Sequence, residues 1–386
     1  MRKISVIMAS GLCLAIISTA MALVSPQGTE NTLEVATWNL KEFPYAGQAT
    51  IDTAAILIRD LQLDIIGLNE ITDTLAFDSL LARLPGWNGT YTPSYAGAYM
   101  KEAIIYRTDQ IQLSNIETLF WNMTYEFPRP LLKAYVQAHL QSGNFDFYLI
   151  VLHLKAGNED ADISRRIAAM NRLKDYLDQY VPIASDHDWV IIGDYNDNAD
   201  DPLASNIFRN FLDDTTHYRL LTLPLVGNPY WASYPPLNSL IDHIIVTTDC
   251  LWEYGVSGQT ITIRVGDEYP RYSSIISDHR PVMSRFSQMQ SDVTEHVNTP
   301  SNFHVGVYPN PFNEQANVSV GISSPGRINL ELYDCLGRKQ LSLFRGYLEN
   351  GRYLFRLDGG RLNSGVYFLK ISSLRQADII KLVLIK

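Results

Sequence analysis

Three cysteines in 386 residues leave little room for a disulfide framework. Cys13, Cys250 and Cys335 lie far apart, and a thiolate metal site needs several ligands at short spacing, so neither is expected. No phosphate-binding P-loop and no dinucleotide-binding glycine pattern is present. Positive charge is also short: 31 Lys and Arg stand against 41 Asp and Glu, a net charge of −10. That excludes a passive nucleic-acid coat, which presents a basic stripe. It does not exclude an enzyme acting on a polyanion, because bound metal ions reverse the charge of a site locally.

Long apolar runs are confined to the N-terminus. Arg2 and Lys3 open it, an apolar stretch follows from Ile4, and Ala20-Met21-Ala22 fits the small-x-small cleavage rule. Residues 1–22 therefore read as a signal peptide cleaved after Ala22; an uncleaved anchor is the other reading of such a stretch. No later segment is long and apolar enough to span a membrane, so no stable membrane insertion is expected. Hydrophobic residues make up 46% of the chain and charged residues 19%, which supports a sizeable core. The length suggests two domains.

From residue 31 to 287, short apolar runs alternate with amphipathic stretches. Strands are expected over Leu33–Trp38, Ile65–Leu68, Ala103–Tyr106, Phe147–Leu154, Trp189–Gly193, His243–Val246 and Pro281–Phe286. Helices are expected over Thr50–Leu61 and Ser164–Tyr180; in the second, Ile167, Met170, Leu173, Tyr176, Leu177 and Tyr180 recur at helical spacing. Residues 288–302 are polar and aperiodic and read as a linker. From 303 to 386, seven short strands separated by turn signals such as Asn350-Gly351 and Asn363-Ser364-Gly365 predict a small all-β sandwich.

Polar residues recur at the ends of the predicted strands, where side chains can converge on a cleft. Asn39 follows one strand, Glu70 another, and His153 lies near the end of a third. Asp194 and Asn196 follow Trp189–Gly193, Asp242 precedes His243, and Asp278-His279 precede Pro281. Hydrolysis of a phosphodiester needs a hard cation on the phosphoryl oxygens, and such cations take carboxylate and amide oxygens. Glu70, Asp278 and Asn39 are suitable ligands. The reaction also needs a base for water and an acid for the leaving oxygen, roles open to His279 and His153. A working imidazole needs a carboxylate to fix its tautomer; Asp242 suits His279 and Glu102 suits His153. Asp194 and Asn196 can orient water or phosphate.

The ordered set Trp38-Asn39, Asn69-Glu70, Leu152-His153, Gly193-Asp194-Tyr195-Asn196, Ile241-Asp242-His243 and Ser277-Asp278-His279-Arg280-Pro281 resembles the endonuclease/exonuclease/phosphatase superfamily. The resemblance implies an α/β (α+β) fold, a four-layer αββα sandwich of two mixed sheets flanked by helices. It implies a divalent-metal-dependent phosphodiesterase using Mg²⁺, or Mn²⁺ or Ca²⁺, with Glu70 the principal ligand and Asn39 and Asp278 nearby. Lys101-Glu102 and Phe127-Pro128-Arg129-Pro130 resemble segments of the deoxyribonuclease I branch, where the glutamate supports a histidine and the arginine grips a phosphate. Asn69 stands where the family often has Gln, and Leu154-Lys155-Ala156-Gly157 departs from that branch. A nuclease is the leading expectation; a sphingomyelinase- or phospholipase C-like phosphodiesterase, with Trp121 and Phe127 as membrane-contact suspects, and a non-catalytic surface binding protein are the alternatives. Arg165-Arg166 read as a nucleic-acid contact or a solvated helix face.

The C-terminal run Tyr308-Pro309-Asn310-Pro311-Phe312-Asn313, then Leu332-Tyr333-Asp334 and Leu362-Asn363-Ser364-Gly365-Val366-Tyr367, resembles the sorting domain of type IX secretion substrates. It implies export by that machinery to the medium or cell surface of a Gram-negative bacterium. A monomer is expected.

Overall fold

The computed structural model describes residues 22–94, 100–202, 205–255, 257–287, 303–322, 325–334, 337–373 and 377–386. The expected signal peptide, apart from Ala22, and the expected linker lie outside them.

The first domain carries twelve strands among the described residues: β1 (Leu33–Phe43), β2 (Ile65–Ile71), β3 (Trp87–Tyr91), β4 (Lys101–Arg107), β5 (Ile111–Leu119), β6 (Leu131–Leu140), β7 (Gly143–His153), β8 (Trp189–Asp194), β9 (Tyr218–Leu220), β10 (Asp242–Thr247), β11 (Gln259–Thr262) and β12 (Val282–Phe286). They form two six-stranded sheets, ordered β11-β12-β1-β2-β4-β3 and β5-β6-β7-β8-β10-β9. β1 and β2 pair in parallel, as do β7 and β8, and the other pairings are antiparallel.

Strand alternation explains the layers. Val35, Ile65 and Ile104 of one sheet meet Leu149, Val151, Val190 and Ile192 of the other in a central core. Their neighbours point outward. Ala36, Trp38, Ile66, Leu68 and Ile105 pack under helices α1 (Gln48–Leu61) and α2 (Thr74–Leu81). Ile150, Leu152, Trp189 and Ile191 pack under α3 (Asp160–Tyr180). Central strands buried on both faces read as unbroken apolar runs, which is why they were legible. The domain is the expected four-layer αββα sandwich.

Each expected strand is present, with β7 beginning four residues earlier than predicted and α3 likewise. Five further strands were not foreseen: β3, β5, β6, β9 and β11. β3, β5, β9 and β11 lie at sheet edges. The exposed middle of β5, with Ser114, Asn115, Ile116 and Glu117, breaks the apolar pattern a sequence reading depends on.

The C-terminal domain is all-β. Among the described residues its seven strands are β13 (Phe303–Tyr308), β14 (Gln315–Ile322), β15 (Gly326–Asp334), β16 (Lys339–Leu348), β17 (Gly351–Asp358), β18 (Gly365–Ser372) and β19 (Ala377–Leu384). They make a three-stranded sheet, β13-β14-β17, and a four-stranded sheet, β16-β15-β18-β19. Val318, Val320, Leu330, Leu332, Leu357 and Leu369 fill the core of this domain.

Candidate active site

Parallel β1, β2, β7 and β8 end at the sandwich edge where their antiparallel neighbours β4, β10 and β12 begin. The register sets the convergence: Asn39 faces Asn69, His153 faces Asp194, and Asp194 faces Asp242. Several residues there hold left-handed backbones: Lys41 (φ 46°), Glu42 (φ 45°), Glu70 (φ 65°) and Asn196 (φ 54°). Non-glycine residues leave the usual regions at a cost of about 1 kcal/mol or more each, and persist only where surrounding structure holds them.

Asp194 is the hub. Its Oδ2 accepts from Asn39 Nδ2 at 3.0 Å and lies 3.5 Å from His153 Nε2 and 3.8 Å from His279 Nε2. Its Oδ1 accepts the Asn196 amide at 2.9 Å. Asn39 Nδ2 also donates to Glu70 Oε1 at 3.0 Å, and His153 Nε2 stands 3.9 Å from that same oxygen. His279 Nδ1 and Asp242 Oδ2 are 2.9 Å apart. Ser277 locks the loop by donating to the Asn39 carbonyl and accepting the His279 amide. Trp38 donates to Tyr272, whose hydroxyl donates to the His279 carbonyl.

The surroundings push the two histidines in opposite directions. Burial opposes a charged His279, but the negative charges of Asp242 and Asp194 and the bond to Asp242 outweigh it and push its pKa up to about 10. Burial holds His153 well below the usual imidazole value, helped by the positive charges of Arg129 and His279. Burial raises Asp194 to about 7, with His279 pulling it down and Asp242 pushing it up.

The family model described as Endonuclease/Exonuclease/phosphatase family matches residues 36–279, spanning the strand ends just described. The chain belongs to the endonuclease/exonuclease/phosphatase family. It is a phosphoester hydrolase of that family, and family members depend on divalent metal. A second model, the secretion system C-terminal sorting domain, matches residues 306–386 and links the chain to the type IX machinery. Among curated proteins the comparison finds no match. Solved structures it resembles include humanized D. rerio TDP2, at 16% identity over 66% of this chain and 99% of that one, TM-score 0.49. The human Nocturnin catalytic domain with bound sulfate shows 16% identity over 67% and 94%, TM-score 0.47. The Bacteroides thetaiotaomicron mannosyl-6-phosphatase shows 16% identity over 65% and 98%, TM-score 0.47. No helix among the described residues is long and apolar enough to cross a membrane.

Glu102 does not bond His153: its Oε2 takes Asn69 Nδ2, while Glu102 Oε1 and His153 Nδ1 are both buried without a hydrogen-bond partner. Burial raises the Glu102 pKa to about 8, opposed by the Asn69 bond and by Arg129. Asp278 is engaged by Lys41 Nζ at 2.9 Å. Arg129 is half-buried beside the cleft and donates to the Leu154 carbonyl at 2.9 Å. Asn196 donates to the same carbonyl at 3.2 Å. Arg166 is not on a solvated face. It is buried, bonded to Asp197 at 2.9 Å and to the Lys155 and Gly157 carbonyls, and so ties α3 to two loops of the site. Arg165 instead lies over the Tyr125 ring at 5.3 Å. Phe127 is buried and stacked on Phe120, while Trp121 is exposed.

Sequence reading missed Lys41 and the role of Asn69. Asn69 donates to Glu102 and to the Leu152 carbonyl and accepts the Asp194 amide, which stitches the two sheets together beneath the site. Its signal was present: an amide closing the apolar run Ile65-Ile66-Gly67-Leu68 has to find buried partners.

The residues fit a hard divalent cation. Glu70, Asp194, Asp242 and Asp278 with the Asn39 amide concentrate oxygen donors at one edge of the sandwich. Asp194, Asp242 and His279 offer three ligand atoms within 4.8 Å of one another.

Proposed function

We propose that this chain is an exported nuclease that cleaves phosphodiester bonds at the Asp194 hub. The observation that carries this reading is one buried carboxylate, Asp194, with His153 Nε2 and His279 Nε2 at 3.5 and 3.8 Å from its Oδ2. A hard divalent ion beside Glu70 and Asn39 supplies charge neutralisation on the phosphoryl oxygens.

The chain's own residues do the rest. His279, kept charged by Asp242, faces the reacting phosphate and gives its Nε2 proton to the departing oxygen. Asp194, near neutrality, takes the proton of the attacking water, and Asn196 holds the Asp194 carboxylate through its amide. Neutral His153 borders the other side of Asp194. On this reading His279 serves the leaving group rather than the water, because a charged imidazole has no lone pair with which to accept a proton. Arg129 and Asn39 hold phosphate oxygens, Arg129 through a planar fork suited to two oxygens at once.

The substrate is tested by comparing turnover of DNA, RNA, sphingomyelin vesicles and a sugar phosphate by the full chain with Mg²⁺. The reading predicts that nucleic acid is turned over fastest. Turnover confined to sphingomyelin or to the sugar phosphate contradicts it.

A further inference from the structure

We propose that the Lys41 ammonium is a built-in cation of the active site: it takes Asp278 as its counter-ion and leaves divalent-metal binding to the Glu70 side. The inference rests on the reading of Glu70 as a metal ligand.

A two-residue left-handed turn of the backbone at the register irregularity inside β1 touches all three ligands expected from the sequence. The Lys41 amide donates to Asn39 Oδ1 at 2.9 Å. The Glu42 amide donates to Glu70 Oε2 at 2.8 Å. The Lys41 ammonium donates to Asp278 Oδ2 at 2.9 Å. Both turn residues are left-handed and neither is glycine. Relaxing either backbone would aim its amide away from Asn39 or Glu70, so the strain is held by the bonds it makes possible.

The turn fixes where the ammonium goes. Lys41 Nζ stands 4.6 Å from the centre of the Tyr45 ring, a second favourable contact for a cation. The side chains of Lys41 and Asp278 are 31% and 23% exposed, so the pair is partly shielded from water and interacts more strongly than an open surface pair. A dication approaching Asp278 would have to displace a tethered ammonium and would be repelled by it. Asn39 Nδ2, by contrast, bridges Glu70 and Asp194 with a neutral amide, which can swing away at little electrostatic cost. On this proposal Asp278 is the partner of Lys41 and not a metal ligand.

The test is calorimetric titration of the full chain with Mn²⁺ in the absence of substrate. Glu70→Gln should weaken binding by tenfold or more, on the order of a lost charged ligand. Lys41→Met should tighten it by about tenfold, because a repelling charge is removed and Asp278 freed. The double variant Lys41→Met with Asp278→Asn preserves net charge and should bind within about threefold of wild type. Lys41→Arg, which keeps the charge, should do the same, and it decides the matter with the double variant if Lys41→Met does not fold. A double variant binding tenfold or more weaker makes Asp278 a ligand and overturns the proposal, as does unchanged or weakened binding by folded Lys41→Met. A wild-type protein that binds Mn²⁺ but is indifferent to Glu70→Gln overturns the Glu70 reading, and one that binds no Mn²⁺ overturns both.

Discussion

His279 Nδ1 lies 2.9 Å from Asp242 Oδ2, and both side chains are buried. The negative charge of Asp242 and its bond to the ring help push the pKa of His279 up to about 10, against the opposing effect of burial. Asp242→Asn removes the charge that holds the proton, so the pKa of His279 falls. The alkaline limb of the kcat/KM profile should therefore move to lower pH, and kcat should drop by about 10²- to 10⁴-fold. A pH–rate series on both proteins measures this; an unmoved alkaline limb contradicts it.

Gly193 precedes the hub and holds φ +151°. A Cβ there would come 1.9 Å from the Leu152 carbonyl oxygen, a backbone atom of the next strand. Gly193→Ala should thus cost about 2–4 kcal/mol in urea unfolding, in the range of mutations that strain a special backbone position. Stability equal to wild type would show that β7 and β8 can part without loss.

Arg166 and Asp197 form a buried pair at 2.9 Å. Removing one member leaves a buried charge uncompensated. Arg166→Met should destabilise by about 3–5 kcal/mol by denaturant unfolding. A loss below about 1 kcal/mol, the scale of an exposed pair, would contradict its burial.

Asp64 predicts a pH dependence of stability away from the site. Burial raises its pKa from 3.8 to about 8; the bond from the Glu34 amide opposes this and the Glu34 charge adds to it. Between those two values the folded chain binds more protons than the unfolded chain, so stability falls as pH rises. Asp64→Asn should flatten that fall between about pH 4 and 8. Chemical denaturation across this range checks it, and an unaltered slope contradicts it.

Much of this molecule is legible in its sequence because its central strands are buried on both faces. β8, Trp189–Asp194, is fully buried and reads as an unbroken apolar run ending in an acid. The same logic placed Asn39, Glu70, His153 and Asp194 at strand ends, where register brings them together. What escaped depends on backbone geometry and charge state. Lys41 lies inside β1 just past its apolar run, and nothing in a lysine announces a left-handed backbone there that returns its ammonium to Asp278. Arg165 and Arg166 are identical letters; only the facing of α3 sends one to the Tyr125 ring and buries the other. The proton roles of His153 and His279 depend on how many carboxylates face each ring, a quantity that exists only after folding.

The most direct test of the phosphodiesterase account is cleavage of plasmid DNA by the full chain with Mg²⁺, alongside EDTA and a His279→Ala protein. The account predicts cleavage that EDTA abolishes and that His279→Ala lowers by about 10²- to 10⁴-fold. Full metal-dependent cleavage by His279→Ala would contradict it.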